Sequence, residues 1–256
     1  MPRLMPFLFR VLCSVLVAGL ATGTFAACSS ESGEAAAQPA SSESTEEAEA
    51  QGTGETTPEP PPERSAQRSK NRASQGSRLA LGAAAPMTDH AMKNIDEAQV
   101  TIASVAGEHG TLVIFTCNHC PWAVAWESRI TEIGNRYRGR GVGVIAINPN
   151  DPEQFPVDNF ETMQERAEAA GMQFPYVVDA TSDVARAYGA QKTPEAFLFN
   201  SDRELVYHGA IDDNAHEPDE VEERYLRDAL DALIAGDEIS TTETRAIGCS
   251  IKFRNS

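Results

Sequence analysis

Two cysteines three apart, in TCNHCPW at 116–122, sit at the seam between two opposite patterns. Before them runs TLVIFT, 111–116, apolar and β-branched, which reads as a buried strand. After them Trp122, Trp126, Ile130, Ile133 and Tyr137 recur at helical spacing, and Gly139 closes that helix. A helix start leaves N–H groups unpaired and presents the positive end of the macrodipole. A Cys-x-x-Cys pair placed there has its thiol pKa lowered from about 8.5 into the range of roughly 3.5 to 7.5. The position therefore predicts Cys117 as the attacking thiolate. Cys120 lies one turn later on the same face, inside the helix and less exposed, as the resolving thiol. His119, between them, would tune the pair, because an imidazolium stabilises a neighbouring thiolate. Pro121 falls in the first helical turn, where proline is tolerated.

The rest of the folded part alternates. GVGVIAIN, 141–148, is a second buried strand, and NPNDP is a turn cluster. Asp158 with Glu161 reads as a capping box for a helix running to about Ala170, ended by Gly171. A short strand at 174–179 and a short helix at 182–188 follow, the latter closed by Gly189. EAFLFN and ELVYHGAI are strands joined by Ser201, Asp202 and Arg203 as a hairpin. The stretch 220–235 is amphipathic, with Tyr225, Leu226, Ala229, Leu230, Leu233 and Ile234 inward. Alternating strands and helices imply parallel pairing with helices on both faces. The late hairpin makes the sheet mixed. The class is α/β, a central mixed β-sheet flanked by helices.

A strand, then C-x-x-C at a helix start, then KTPEAFLF before a hairpin, resembles the thioredoxin-like fold. LGAAAPMTDH at 81–90, the insert NPNDPEQFPVDNFETM and the ending GCSIKF resemble its redoxin branch, of the peroxiredoxin-like (AhpC/TSA) type, in a subgroup that carries C-x-x-C. The resemblance implies a cis bond before Pro194, packed beside the two cysteines. It also implies that Thr193 offers its backbone to a substrate chain. Cis peptides are essentially a proline feature. The likeness stops short of true peroxiredoxins, whose motif is P-x-x-x-T-x-x-C. Counted back from Cys117 those places hold Gly110 and Ile114, and from Cys120 they hold Val113 and Cys117.

Upstream of this domain, expected over 79–256, the composition changes twice. Residues 1–27 begin with Arg3 and Arg10, continue with an apolar run and close on Ala26 and Ala27, the layout of a secretory signal. Cys28 follows directly, and the ending resembles a bacterial lipoprotein signal in which that cysteine carries lipid. Ordinary cleavage beside a free Cys28 is the alternative. Residues 28–78 are rich in Ser, Glu, Ala and Pro and poor in core-forming side chains, so a disordered N-terminal tether is expected. The implied location is exported and membrane-anchored. The chain holds 38 acidic against 21 basic residues, a formal charge of −17, which argues against nucleic-acid binding.

Of five cysteines, Cys13 leaves with the signal and Cys28 belongs to the anchor, so three stay in the domain. One close pair and one odd cysteine look like chemistry rather than a disulfide scaffold. Cys249 has two readings: a quiet buried cysteine, or a third redox thiol that exchanges with Cys117. Cys117, His119, Cys120 and Cys249 could supply four zinc ligands on paper, although neighbours on one helical turn rarely all point inward. A Sco-type copper site would draw on a distant histidine, for which His208 is the candidate. Asp212 and Asp213 are expected to serve a turn. No glycine fingerprint for a dinucleotide is present, so no organic cofactor is implied. The leading expectation is an exported thiol-disulfide oxidoreductase acting on protein or small-molecule disulfides, with an upstream thiol donor or acceptor. A peroxiredoxin-like thiol peroxidase and a copper-delivery module are the alternatives.

Overall fold

The computed structural model describes residues 78–255. The expected leader at 1–27, the lipidation of Cys28 and all but the last residue of the tether lie outside the described residues. The described strands are β1 (Met92–Asn94), β2 (Gln99–Val100), β3 (Gly110–Phe115), β4 (Val142–Asn148), β5 (Tyr176–Val178), β6 (Lys192–Thr193), β7 (Glu195–Asn200), β8 (Leu205–Gly209) and β9 (Cys249–Ser250). The helices are α1 (Pro121–Arg138), α2 (Phe160–Ala170), α3 (Asp183–Tyr188) and α4 (Tyr225–Ala235). Among the described residues no helix is long and apolar enough to cross a membrane.

Seven strands form one sheet in the order β2-β1-β5-β4-β3-β7-β8. β3 pairs parallel with β4 and antiparallel with β7, and β4 pairs parallel with β5. The sheet is therefore mixed, as the late hairpin predicts. β3 is covered on both faces, which is why its residues 112–115, LVIF, are apolar throughout rather than alternating. Leu112 and Ile114 face a core that includes Trp126, Ile130, Met163, Leu226 and Leu230, from α1, α2 and α4. Val113 and Phe115 point the other way, onto Val184, Tyr188 and Phe197. Phe115 meets Tyr188 at 5.4 Å and Phe197 at 5.6 Å, both edge-to-face. This is the thioredoxin-like architecture that the resemblance implies.

Three differences from the expected elements matter for function. First, α1 starts at Pro121, so Cys120 is its N-cap residue and not a residue inside it. Proline at the first helical position loses no hydrogen bond, since that N–H has no intrahelical partner. Second, α2 is capped by Asn159, whose side chain accepts from Thr162 N at 2.8 Å. Asp158, one residue earlier, is left free to turn elsewhere. Third, two-residue strands β6 and β9 pair antiparallel, with Thr193 opposite Cys249. The expected helix at 220–235 begins only at Tyr225, after a 3-10 turn at Pro218–Glu220.

Candidate active site

β3 ends at Phe115, and Thr116 N donates to Ile147 O at 2.9 Å, which extends the β4 pairing by one step. The chain then turns through 116–120 before α1 begins. Cys117 lies in this turn and Cys120 at its end, so both thiols stand at the C-terminal edge of the central parallel strands. Cys117 is 4% exposed and Cys120 fully covered.

One residue meets both. Thr193 Oγ1 lies 3.1 Å from Cys117 Sγ, and Cys120 Sγ donates to Thr193 O at 3.1 Å. The Thr193–Pro194 peptide is cis. Cys249 completes the group, since its backbone N–H donates to Cys120 Sγ at 3.2 Å. Cys117, Cys120 and Ala123 form a small apolar cluster with Trp122 and Cys249 against it. The structure thus brings Cys117, Cys120, Thr193, Pro194 and Cys249 into one place. Gly248 makes the last approach possible, because a Cβ there would come within 2.2 Å of Thr193 O.

His119 is turned toward a group that the sequence does not reveal as part of the site. Its Nδ1 lies 2.5 Å from Asp158 Oδ2, and its ring stacks on Phe155 at 4.2 Å. Asp158 Oδ1 accepts the N–H groups of Asn118 at 2.8 Å and His119 at 3.2 Å. Asn150 Nδ2 donates to Asp158 Oδ2 at 2.8 Å. The side chain of Asn118 is fixed in turn by Tyr176 OH at 3.0 Å and by the carbonyl of Val157 at 2.9 Å. A fully buried carboxylate from the insert therefore ties the cysteine loop down. Buried polar atoms that are all paired rigidify the backbone that carries them.

The electrostatics separate the two thiols. The Cys120 thiol is held below its ordinary value, first by the hydrogen bond from Cys117, then by the Cys249 thiol and the N–H groups of Ala123 and Cys249, against the cost of burial. The Cys117 thiol is pushed up by donating to Cys120, by burial and by the charge of Asp158; Thr193 and the Cys120 backbone work the other way. The pair is thereby polarised so that Cys120, the residue before α1 begins at Pro121, is the more acidic thiol.

A second acid is equally hidden. Glu195, directly after Pro194, is 1% exposed and lies 2.6 Å from His208 Nε2 through Oε1. Its Oε2 accepts the N–H groups of Gln191 at 2.7 Å and Lys192 at 2.8 Å. His208 is thereby committed to the core beside Phe197, at 4.5 Å between rings, and does not join the cysteines. The set with ligand-like spacing among the described residues is Cys117, His119 and Asp158, all within 4.8 Å of one another. The copper reading that relied on His208 loses its distant ligand. Glu195 and His208 do leave a sequence trace, each being a polar residue inside an otherwise apolar strand pattern. Asp212 also does more than serve a turn, since it accepts Trp126 Nε1 and Arg129 Nη1, each at 2.6 Å, and so anchors α1.

Of the five large hydrophobic side chains exposed among the described residues, four lie close in sequence to site residues: Val124, Phe155, Val157 and Ile247.

Residues 81–208 match the family model described as the AhpC/TSA family. Thiol-disulfide oxidoreductase ResA of Halalkalibacterium halodurans is 26% identical over 115 residues, which are 45% of this chain and 61% of that protein's length. A solved structure of an uncharacterized conserved protein from Geobacillus kaustophilus is 38% identical with a TM-score of 0.65, covering 70% of this chain and 95% of that one. A hypothetical protein from Sinorhizobium meliloti is 34% identical with a TM-score of 0.64, covering 72% of this chain and 100% of that one.

Proposed function

The chain belongs to the AhpC/TSA family, and from that footing we propose that it is a thiol-disulfide oxidoreductase in which Cys117 and Cys120 are the working pair. The observation that carries this reading is the convergence of both sulfurs on Thr193, one on its hydroxyl and one on its carbonyl, beside Pro194. The similarity to the thiol-disulfide oxidoreductase ResA points the same way.

Cys117 is the thiol with a path to the surface, so it attacks. Its sulfur bonds to one sulfur of the substrate disulfide while its proton passes to Cys120. The substrate S–S bond breaks, and the electron pair leaves on the far sulfur, which takes that proton. Cys120, a thiolate again, attacks Cys117 Sγ. The mixed disulfide breaks and the second substrate sulfur leaves as a thiolate. The substrate gains two electrons and the protein holds a Cys117–Cys120 disulfide. In this scheme Cys120 is first base and then nucleophile, roles that its lowered pKa suits.

Thr193 would align a substrate strand beside the two sulfurs. A peroxidase reading has less support, because the proline and threonine of the peroxidatic motif are absent and the charge of Asp158 opposes a Cys117 thiolate. Action outside the cytoplasm, anchored through Cys28, is supported by the charged start, apolar run and small residues that precede that cysteine.

The test is the reduction potential of the full chain, equilibrated in thiol buffers and mapped by mass spectrometry. One reversible two-electron transition is expected, belonging to Cys117–Cys120 and lost in Cys117→Ser and in Cys120→Ser. A midpoint near about −270 mV marks a reductant and one near about −120 mV an oxidant. Failure of Cys117 and Cys120 to form a reversible disulfide overturns the reading.

A further inference from the structure

We propose that Cys249 is the third thiol of a relay and that its exchange partner is Cys120, so that electrons enter and leave the site through different sulfurs. The inference rests on the oxidoreductase reading and extends it.

Cys249 is not a stray cysteine near the end of the chain. β9 pairs with β6 so that Cys249 stands opposite Thr193, the residue that touches both working thiols. Its N–H lies on Cys120 Sγ at 3.2 Å, and its side chain packs on the same cluster. The approach depends on the missing side chain at Gly248. The segment after it is pinned along its length. Ile251 N donates to Gln191 O at 3.0 Å, Lys252 N to Asn150 Oδ1 at 2.8 Å and Arg254 N to Ser182 Oγ at 3.0 Å. Asn150 is also a partner of Asp158, so the terminal segment and the cysteine loop are held by one network.

Exposure gives the arrangement a direction. Cys120 is fully covered, Cys117 nearly so, and Cys249 is partly exposed. Cys120 is thus a buried branch point between two more accessible sulfurs. The Cys249 side chain packs on the cluster that holds Cys120 and also lowers the Cys120 pKa, so the two residues are in contact.

The step is an isomerisation and needs no oxidant. In the Cys117–Cys120 disulfide, the Cys249 sulfur attacks Cys120 Sγ. The Cys120–Cys249 bond forms, the Cys117–Cys120 bond breaks, and the electron pair leaves on Cys117 Sγ, which takes the proton that Cys249 gave up. Cys117 is then a free thiol facing the substrate side. A dithiol reductant attacks Cys249 Sγ, reduces Cys120–Cys249 and is itself oxidised to a disulfide. Client and donor need not compete for one sulfur.

The experiment oxidises the reduced full chain at high dilution with one equivalent of oxidised glutathione, quenches with acid, alkylates and digests with trypsin. Cys117 and Cys120 share the peptide 94–129, whereas Cys249 lies on 246–252. The relay predicts a cross-link between these two peptides in wild type and in Cys117→Ser, and its loss in Cys120→Ser and Cys249→Ser. A cross-link that survives in Cys120→Ser but not in Cys117→Ser, or that forms in none of the four, overturns the relay. The disulfide internal to 94–129 in Cys249→Ser reports separately on the oxidoreductase reading. Its presence without the cross-link defeats the relay alone, and its absence defeats both.

Discussion

Asp158 and His119 meet at 2.5 Å, and the same carboxylate holds the backbone N–H groups of both Asn118 and His119. A group 39 residues away from His119 in sequence thus fixes the two residues that separate the cysteines. It also sets a negative charge beside the thiol that must become an anion to react.

The sign of that charge is testable. Asp158 pushes the Cys117 pKa up, so removing the charge should bring it down. In a Cys120→Ser background, which removes the proton shared between the thiols, Asp158→Asn should shift the pH midpoint of Cys117 alkylation by iodoacetamide to lower pH. Its Oδ1 can still accept the two N–H groups, so the loss of stability should stay near about 1–3 kcal/mol, the cost of an imperfectly paired buried polar group. A midpoint that stays put or rises shows that the charge does not act on Cys117.

The reduced protein should carry a pH signature of the pair. Cys120 is depressed in the folded state, so its contribution to stability is fully present above its unfolded pKa and is lost as pH falls through the folded value. Cys117 is raised, so its contribution is present below its unfolded pKa and declines at higher pH. Together they predict stability that rises from mildly acid pH toward the ordinary thiol value of 9.0 and then falls. Urea midpoints of the reduced chain, wild type minus Cys120→Ser, should show the rise. A flat difference removes Cys120 as the more acidic thiol.

What the sequence made legible follows from the range of its signals. Cys117, Cys120, Thr193 and Pro194 are marked by local pattern, because a strand-to-helix junction and a Thr-Pro pair are each readable within a few residues. Asp158 was not, for a local reason. Asp158 with Glu161 and Asn159 with Thr162 both look like helix starts one residue apart, and only the fold shows that Asn159 caps α2 while Asp158 turns to the cysteine loop. β6 and β9 are two residues each, too short to carry periodicity, so the seat of Cys249 was invisible. β1 and β2 escaped for the same reason. In the sequence Glu195 is part of a strand and His208 a candidate ligand, and only the register of β7 against β8 brings them together.

Thr193 offers a cleaner perturbation than the cysteines. Its hydroxyl favours the Cys117 thiolate, while its carbonyl and its pairing with Cys249 belong to the backbone. Thr193→Val keeps shape and backbone and removes only the hydroxyl. A hydrogen bond to a charged group contributes about 1.5–3 kcal/mol, so disulfide exchange through Cys117 should slow by roughly ten- to a hundredfold with folding stability little changed. Stopped-flow reduction of a peptide disulfide measures the first and urea unfolding the second. An unchanged rate assigns Thr193 Oγ1 a packing role only.

Glu195 and His208 should matter most for stability. Both are 1% exposed, and Glu195 also holds the backbone of Gln191 and Lys192, just ahead of Thr193. Removing one member of a buried pair costs about 3–5 kcal/mol, because the other is left without its partner. His208→Leu should fall in that range. Glu195→Gln retains an acceptor for the two N–H groups and should cost less than Glu195→Leu, which strands both donors as well as the imidazole. For the same reason the double variant Glu195→Leu with His208→Leu should not recover wild-type stability, although replacing an isolated buried pair with apolar groups is often neutral. Denaturant midpoints across the four variants test the order. Full recovery in the double variant shows that the carboxylate serves His208 alone and not the strand that carries Thr193.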